Sequence, residues 1–351
     1  NSDSFATDSE YNIVWLTGKY LRINAEFAGL NLREIMLRDE NGGQIPVSLV
    51  SYFSPQDALR STTSPEALID EQDTLEGEPG WFNGTYFDEI YYARTAYEHL
   101  HGQAPYETSH PPLGKELMAV GIAIFGMTPF GWRFMGTLIG ALMLPAMYLF
   151  GKQLTKNRWF ASFAMLLMTL DLMHFTQTRL ATIDSFPVFF IILSYLCMTR
   201  YVLSDPFAVK APYDAKPRLF TREFIGSLIT LFLCGLFMGF SIASKWTGLY
   251  SAAGLAVLFF YAVYRHFRSG LLAYGLKLNQ LKRAEAIRVK WSRELLLKRI
   301  FTTLGFCVLF FLVIPAGIYY LAYIPYLSPT GSVTIQRIIR VQQSMLAYHS
   351  T

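Results

Sequence analysis

The chain has 351 residues, of which 52% are hydrophobic and 16% are charged, and its mean hydropathy is +0.28. Soluble domains carry about 25% charged residues, and several apolar runs of this sequence approach the length that crosses a bilayer. The composition therefore excludes a soluble protein and indicates a polytopic membrane protein. The net charge of +4 is unevenly distributed, because residues 1–89 hold 16 of the 26 acidic groups and five of the 30 basic ones. The excess of basic residues after position 89 is typical of cytoplasmic loops of a membrane protein rather than of a nucleic-acid-binding surface.

Residues 1–75 have the pattern of a small β-rich module outside the membrane. Residues 20–27 alternate apolar and polar side chains as a half-buried strand does, 32–37 form a second candidate strand, and 39–43 form a turn that leads into 45–50. The pattern is similar to the end of a discoidin-like β-sandwich. A structural insert is favoured over a carbohydrate-binding insert, because no cluster of aromatic residues offers a platform for a sugar.

The ends of the sequence indicate a piece of a longer protein. No initiator Met, signal peptide or leading apolar span precedes Asn1, and the sequence stops after Thr351. We therefore expect further residues at both ends. Residues 54–80 are rich in Ser, Pro, Asp and Glu and are expected to form a linker.

Residues 76–130 are predicted to form an outer loop with two helices at the membrane surface. Residues 87–101 space their apolar groups near the helical period, with Asp88 as a candidate cap, but the segment is too short and too charged to span a bilayer. Residues 113–125 are apolar, yet they carry Lys115 in their first turn and are also too short to span. Both segments are therefore expected to be interfacial.

Residues 131–351 are predicted to form the membrane domain of a mainly α-helical protein. The expected spans lie at about 131–151, 158–175, 181–202, 222–243, 246–264 and 300–324. Basic loops at 152–158, 203–221 and 265–299 alternate with tight turns. The positive-inside rule places the basic loops in the cytoplasm, so the loop at 76–130 and the turns lie on the outer face.

This orientation brings a set of ionisable residues to one membrane surface. Its members are Asp88, Glu89, His110, Arg133, Asp171, His174, Arg179, Asp184 and Lys245. An interfacial salt bridge explains any one of them equally well. Ionisable groups in or near a membrane are costly and usually functional, so the group as a whole predicts an active site on the outer face.

Group transfer from a lipid-phosphate donor is the chemistry that these residue types favour. Asp88 is the candidate base for the proton of an acceptor hydroxyl. Arg133, Arg179 and Lys245 are candidates to meet the phosphate leaving group, which cations stabilise. A sugar-phosphate donor brings its own leaving group, so no cofactor is required. Candidates to line a sugar or peptide groove are Tyr86, Phe87, Tyr91 and Tyr92.

Metal chemistry finds no support in the sequence. The three cysteines, Cys197, Cys234 and Cys307, lie inside apolar runs, without the spacing of a metal site or a disulfide framework. His110 and His174 are too isolated to predict a metal site. No metal is predicted, and a divalent cation stays open without a residue pattern in its favour.

Two functions of other classes remain open. A transporter would use the ionisable groups as an ion path, but transporters place such groups near the midplane and are built from repeats, whereas these groups lie at one rim and the sequence shows no internal repeat. A sugar-binding membrane anchor without catalysis would depend on residues 1–75. Loss of transfer in an Asp88 variant that still binds donor would favour the enzyme.

Seven motifs follow one another along the chain. They lie at residues 87–94 (FDEIYYAR), 110–115 (HPPLGK), 132–136 (WRFMG), 177–185 (QTRLATIDS), 244–249 (SKWTGL), 324–326 (IPY) and 341–350 (VQQSMLAYHS). In this order they resemble the protein O-mannosyltransferase family, the dolichyl-phosphate-mannose–protein mannosyltransferases, and the last motif is similar to the start of an outer-loop motif of the bacterial members. The resemblance covers about residues 85–351.

The resemblance implies the GT-C helical architecture in a multi-pass protein of the cell membrane. It implies transfer of mannose, with inversion, from a polyprenyl- or dolichyl-phosphate donor to Ser or Thr of an exported protein, on the extracytoplasmic face. The family's first span would lie upstream of Asn1, and residues 1–75 would be an insertion after it. The Asp-Glu pair also occurs in other GT-C enzymes, so a transferase that modifies a lipid or a wall polymer is the alternative.

The resemblance also implies roles for individual residues. Asp88 corresponds to the proposed base, and Glu89 to its partner in positioning the acceptor or the loop. Positions near the donor phosphate or substrate correspond to Arg133, Arg179, Asp184, Lys245 and His110.

Overall fold

Short strands precede a long series of helices in the computed structural model, which describes residues 36–39, 43–47, 69, 84–207, 218–275 and 283–350. The chain divides into two compact units, residues 1–90 and 91–351. The described residues are mainly α-helical, as the sequence predicts.

The first unit contains a two-stranded antiparallel ladder. Strand β1 (Leu37–Arg38) pairs with β2 (Gln44–Ile45), and Leu37 lies opposite Ile45. Between them, Asp39 N donates to Gly43 O at 2.8 Å and Gly43 N donates to Asp39 Oδ1 at 2.7 Å. These bonds join the two ends of the turn predicted at 39–43, of which residues 40–42 lie outside the described residues. The strand predicted at 20–27 and nearly all of the linker lie outside the described residues, so the β-rich module as a whole stays a prediction.

The described part of the chain contains eleven α-helices. They are α1 (Glu89–Leu100), α2 (Leu113–Phe125), α3 (Pro129–Thr155), α4 (Arg158–Leu170), α5 (Leu172–Arg179), α6 (Ser185–Leu203), α7 (Arg222–Ser244), α8 (Thr247–Gly275), α9 (Arg283–Val308), α10 (Ile314–Leu327) and α11 (Ile335–Ser350). Five stretches are long and apolar enough to cross a membrane, namely Pro129–Thr155, Ser185–Leu203, Arg222–Ser244, Thr247–Arg268 and Val289–Thr330. The protein is therefore a multi-pass membrane protein.

The span predicted at 158–175 is broken rather than continuous. Helices α4 and α5 meet at Asp171 with a bend of 60°. Asp171 Oδ1 accepts from Met173 N at 3.3 Å and Oδ2 from His174 N at 3.1 Å, so its carboxylate caps the first turn of α5. An N-cap residue starts a new helix in a new direction, which explains why one apolar run forms two helices.

The last predicted span, 300–324, is longer in the structure. Helices α9 and α10 are joined by a π-helical turn, Leu309–Val313, within the stretch Val289–Thr330. Pro315 follows this turn in the first turn of α10. Proline has no N–H to donate and its ring crowds the preceding turn, and a π-helical turn is a common way to absorb such a defect.

Small residues allow the spans to pack closely. A Cβ atom on Gly235 of α7 would lie 2.1 Å from the carbonyl oxygen of Phe310, and one on Gly140 of α3 would lie 2.4 Å from Cβ of Thr178. Both contacts would become clashes with any larger residue, as in other membrane bundles whose interfaces use small side chains. The tight pairing of α3 with α5 matters for the site, because it fixes the end of α5 against the bundle.

Candidate active site

The Asp88–Glu89 pair lies in the first unit, at the start of α1. Phe87 adopts a positive φ of 56°, which turns the chain immediately before the pair. Glu89 is fully buried, and its Oε2 accepts from Tyr86 N at 2.7 Å. A carboxylate in the first helical turn is also stabilised by the helix dipole. Asp88 is half-buried, so it is the more accessible acid of the two.

In the second unit, the loop between α1 and α2 is held by side chains of α1. Glu107 N donates to Thr95 Oγ1 at 2.9 Å, and Tyr106 N donates to Glu98 Oε2 at 2.6 Å. Glu98 Oε1 in turn accepts from Arg94 Nε at 2.8 Å. These bonds satisfy backbone donors of the loop, so its course is fixed by the helix that precedes it.

A buried ion pair fastens the same loop to α2. Lys115 is completely buried, and its Nζ donates to a carboxylate oxygen of Glu107, to Glu107 O at 3.2 Å and to His110 O at 3.0 Å. Ser109 N donates to Glu107 Oε1 at 2.7 Å. Burial alone would raise the pKa of Glu107, but the nearby His110 ring, the charge of Lys115 and the hydrogen bonds from Lys115 and Ser109 outweigh it, so this pKa lies below its ordinary value.

His110 lies in the same loop, and its side chain is only 14% exposed. Its Nδ1 is 2.7 Å from Ser109 Oγ and 3.6 Å from Glu107 Oε1. The ring packs edge-on to Tyr92 at 6.1 Å and to His349 at 5.1 Å between centroids. Tyr92 is only 6% exposed, and its ring contacts the loop that carries His110, so its place in a substrate groove stays a prediction.

Asp184 and Lys245 form a direct ion pair. Lys245 Nζ lies 2.5 Å from Asp184 Oδ1, and the two side chains are 24% and 48% exposed. Asp184 immediately precedes α6 and Lys245 immediately follows α7, so the pair closes one end of two adjacent spans. The predicted phosphate-binding cation therefore has a carboxylate partner and stays accessible.

Trp246 connects this ion pair to the C-terminal helix. Its ring centroid lies 6.2 Å from that of His349 on α11. His349 Nε2 is 3.0 Å from Ser109 O, in the loop that carries His110. The structure thus brings His110, Asp184 and Lys245 into one neighbourhood, with Trp246 and His349 between them.

The two predicted arginines lie at the ends of α3 and α5. Arg179 is exposed, and its guanidinium carbon lies 4.7 Å from the centre of the Phe175 ring. Arg133 is half-buried in the first turns of α3. One turn later, a Cβ on Gly136 would lie 3.3 Å from the carbonyl oxygen of Leu180, so the helix of Arg133 packs against the residue that follows Arg179.

Residues 79–327 match the family model described as dolichyl-phosphate-mannose-protein mannosyltransferase. The chain belongs to this family. The polyprenol-phosphate-mannose–protein mannosyltransferase of Mycobacterium tuberculosis is 29% identical over 50% of this chain and 34% of the relative. That of Corynebacterium glutamicum is 31% identical over 43% of this chain and 30% of the relative. The chain thus spans about a third of the length of these relatives.

A solved structure shows the shared fold of the mannosyltransferase family. The structure of the S. cerevisiae protein O-mannosyltransferase Pmt1-Pmt2 complex bound to the sugar donor aligns with a TM-score of 0.51 and 19% identity. The alignment covers 69% of this chain and 30% of that chain. This likeness supports the helical architecture that the motifs imply.

The described residues hold no group of three or more His, Cys, Asp or Glu side chains that could bind a metal ion. The three cysteines are free, and they lie in spans. In the second unit, Lys245 lies next to Trp246, whose ring neighbours that of His349, and its ammonium is a suitable partner for an anionic ligand.

Three residues that contact the predicted site residues are not predicted as part of the site from the sequence: Glu107, Trp246 and His349. Glu107 pairs with a lysine eight positions away through a loop, a spacing that no helical or strand period predicts. A weak sequence signal exists, because Glu107 is the one acid among residues 101–112. Trp246 adjoins Lys245, and His349 belongs to a motif that the sequence identifies without a role.

Proposed function

We propose that the full-length protein transfers mannose from a polyprenyl- or dolichyl-phosphate-mannose donor to Ser or Thr hydroxyls of exported proteins, with inversion at the sugar carbon. The observation that carries this proposal is the family match over residues 79–327, which extends from before Asp88 to the end of α10. The names of the bacterial relatives, polyprenol-phosphate-mannose–protein mannosyltransferases, support the donor and the protein acceptor.

In the proposed reaction, Asp88 acts as general base. It takes the proton of the acceptor hydroxyl as that oxygen bonds to the sugar carbon, and the bond between the same carbon and the donor phosphate oxygen breaks. Attack from the face opposite the leaving group inverts the carbon. Glu89 is buried at the start of α1 and bonded to Tyr86 N, so its role is to hold the turn that presents Asp88.

The polyprenyl phosphate that leaves carries negative charge, and cations stabilise it. We assign this role to Lys245, whose ammonium is held by Asp184 at 2.5 Å, with Arg133 and Arg179 as further contacts to phosphate. Asp184 orients the Lys245 ammonium, and the donor phosphate competes with the Asp184 carboxylate for that ammonium. His110, in the loop between α1 and α2, is proposed as a further substrate contact. The sugar donor supplies its own leaving group, so the proposal includes no cofactor.

The proposed site lies on the extracytoplasmic face of the cell membrane. The basic loops at 152–158, 203–221 and 265–299 support this orientation by the positive-inside rule. Helices α1 and α2 are 12 and 13 residues long, too short to span, which supports an interfacial position for both. Residues 1–75 are proposed to be an extracellular insert before this catalytic loop.

Mannose transfer by the full-length protein in membranes tests the function. The substrates are polyprenyl-phosphate-mannose labelled in the sugar and a Ser/Thr-containing peptide, with the same peptide carrying Ala at those positions as the control. We expect label on the Ser/Thr peptide alone. Label that enters only the lipid fraction would instead indicate a GT-C transferase with a lipid acceptor.

A further inference from the structure

Helix α11 is fastened to the bundle by a directed chain of hydrogen bonds. Trp246 Nε1 donates to Tyr319 Oη at 3.1 Å, and Tyr319 Oη donates to Gln342 Oε1 at 2.5 Å. Gln342 Nε2 then donates to Tyr323 Oη at 2.9 Å. The chain therefore runs from the residue next to Lys245, through α10, to the inner face of α11.

The amide side chain of Gln342 supplies both an acceptor and a donor at the centre of this chain. The indole of Trp246 can only donate, so Tyr319 accepts from it and must pass its own hydrogen onward. Gln342 offers an acceptor to Tyr319 and a donor to Tyr323 on the same planar group, which no apolar side chain can do. The Tyr323 hydroxyl in turn lies 3.7 Å from Met345 Sδ. Tyr323 and Met345 are buried, 0% and 1% exposed, whereas Tyr319 and Gln342 are half-buried.

The same chain determines where Trp246 lies relative to two parts of the site. On one side its neighbour Lys245 holds Asp184 at 2.5 Å. On the other side its ring is 6.2 Å from the ring of His349, whose Nε2 contacts Ser109 O at 3.0 Å. A change in the side chain of Trp246 would therefore move the backbone of Lys245 and release one contact of α11 with the loop of His110.

We propose that Gln342 is a positioning residue for the donor-phosphate site, acting through Tyr319 and Trp246 on Lys245. The inference rests on the proposed function, since it takes Lys245 to bind the donor phosphate. Gln342 does not touch the reacting atoms. Its loss weakens donor binding and leaves acceptor binding unchanged.

The test compares Gln342→Leu with Gln336→Leu in the full-length protein in native membranes. Gln336 lies on the exposed side of the same helix, so it controls for the loss of an amide on α11. The donor KM is expected to rise about tenfold in Gln342→Leu, because the variant loses the hydrogen bonds to both Tyr319 and Tyr323. The acceptor KM and kcat are expected to stay near those of the wild type. The inference is overturned by equal donor KM values in the two variants, or by an equal rise in the KM of the acceptor.

A second variant keeps the test decisive if Gln342→Leu does not fold. Tyr319→Phe removes one hydroxyl, retains the ring, and breaks the chain between Trp246 and Gln342. Both single variants and the double variant are expected to show the same rise in donor KM, because they break one chain. Effects that multiply in the double variant would contradict the inference. A wild-type protein that transfers no mannose would instead refute the proposed function itself.

Discussion

Removal of the buried Lys115 ammonium is expected to destabilise the fold strongly. In the structure this group is fully buried and donates to the Glu107 carboxylate, to Glu107 O at 3.2 Å and to His110 O at 3.0 Å. Lys115→Met keeps most of the side-chain volume and removes all three bonds. The carboxylate of Glu107 keeps its bonds from Ser109 but loses its cation.

The size of the effect follows from the buried charge that remains. Breaking a buried ion pair by removing one partner costs about 3–5 kcal/mol, because the other charge is left uncompensated. Adding Glu107→Gln to the Lys115→Met variant removes that remaining charge. The double variant is therefore expected to lose less stability than the sum of the two single variants, by about 1–3 kcal/mol of coupling.

Reversible unfolding in mixed micelles, followed by circular dichroism as the denaturing detergent increases, measures these free energies. Lys152→Met is the matched control, because Lys152 is exposed on α3, and such a surface change alters stability by at most about 0.5 kcal/mol. A loss in Lys115→Met no larger than that of the control would refute the reasoning. Strict additivity of the Lys115 and Glu107 changes would refute it as well.

Two further predictions concern other buried groups beside this pair. Burial raises the pKa of Glu116 from 4.5 to about 8, against the charge of Lys115, so the folded chain keeps a proton that the unfolded chain releases. The free energy of unfolding therefore falls as pH rises from about 5 to 8. Glu116→Gln should remove this fall, measured as thermal-unfolding midpoints against pH, and parallel curves for the wild type and the variant would contradict the prediction. Burial and the charge of Lys115 lower the pKa of His99 to about 3, and within the described residues neither ring nitrogen has a hydrogen-bond partner. Because Phe has no buried polar atom to satisfy, His99→Phe should raise the free energy of unfolding by about 1 kcal/mol. A lower thermal-unfolding midpoint in the variant would count against this prediction.

The helices of the membrane domain were largely predictable from the sequence. Helices α3, α6 and α7 lie within a few residues of the predicted spans, because an apolar run as long as the bilayer is thick has few alternatives to a helix. The sequence does not predict the break between α4 and α5, because the apolar run continues across it. Asp171, the cap that causes the break, is predicted from the sequence only as one of the ionisable residues at the outer face.

The sequence predicts that the site residues lie on the same face of the membrane, but not which of them are in contact. Counting spans from the charged loops placed Asp184 and Lys245 on one face, but the 2.5 Å contact between them depends on how α6 packs against α7. The pairing of Glu107 with Lys115 depends on the course of a loop. The contact of Gln342 with Tyr319 depends on the docking of α11. Such contacts join residues that are distant in sequence, and periodicity carries no information about them.

The most direct test of the central claim is the activity of Asp88→Asn in full-length protein. General-base catalysis contributes about 10²–10⁴ to rate, and an amide of the same shape cannot accept the proton. The account predicts that mannose transfer to a Ser/Thr peptide falls by at least about a hundredfold while the donor KM stays within a few-fold of wild type. Wild-type transfer by Asp88→Asn would contradict the account.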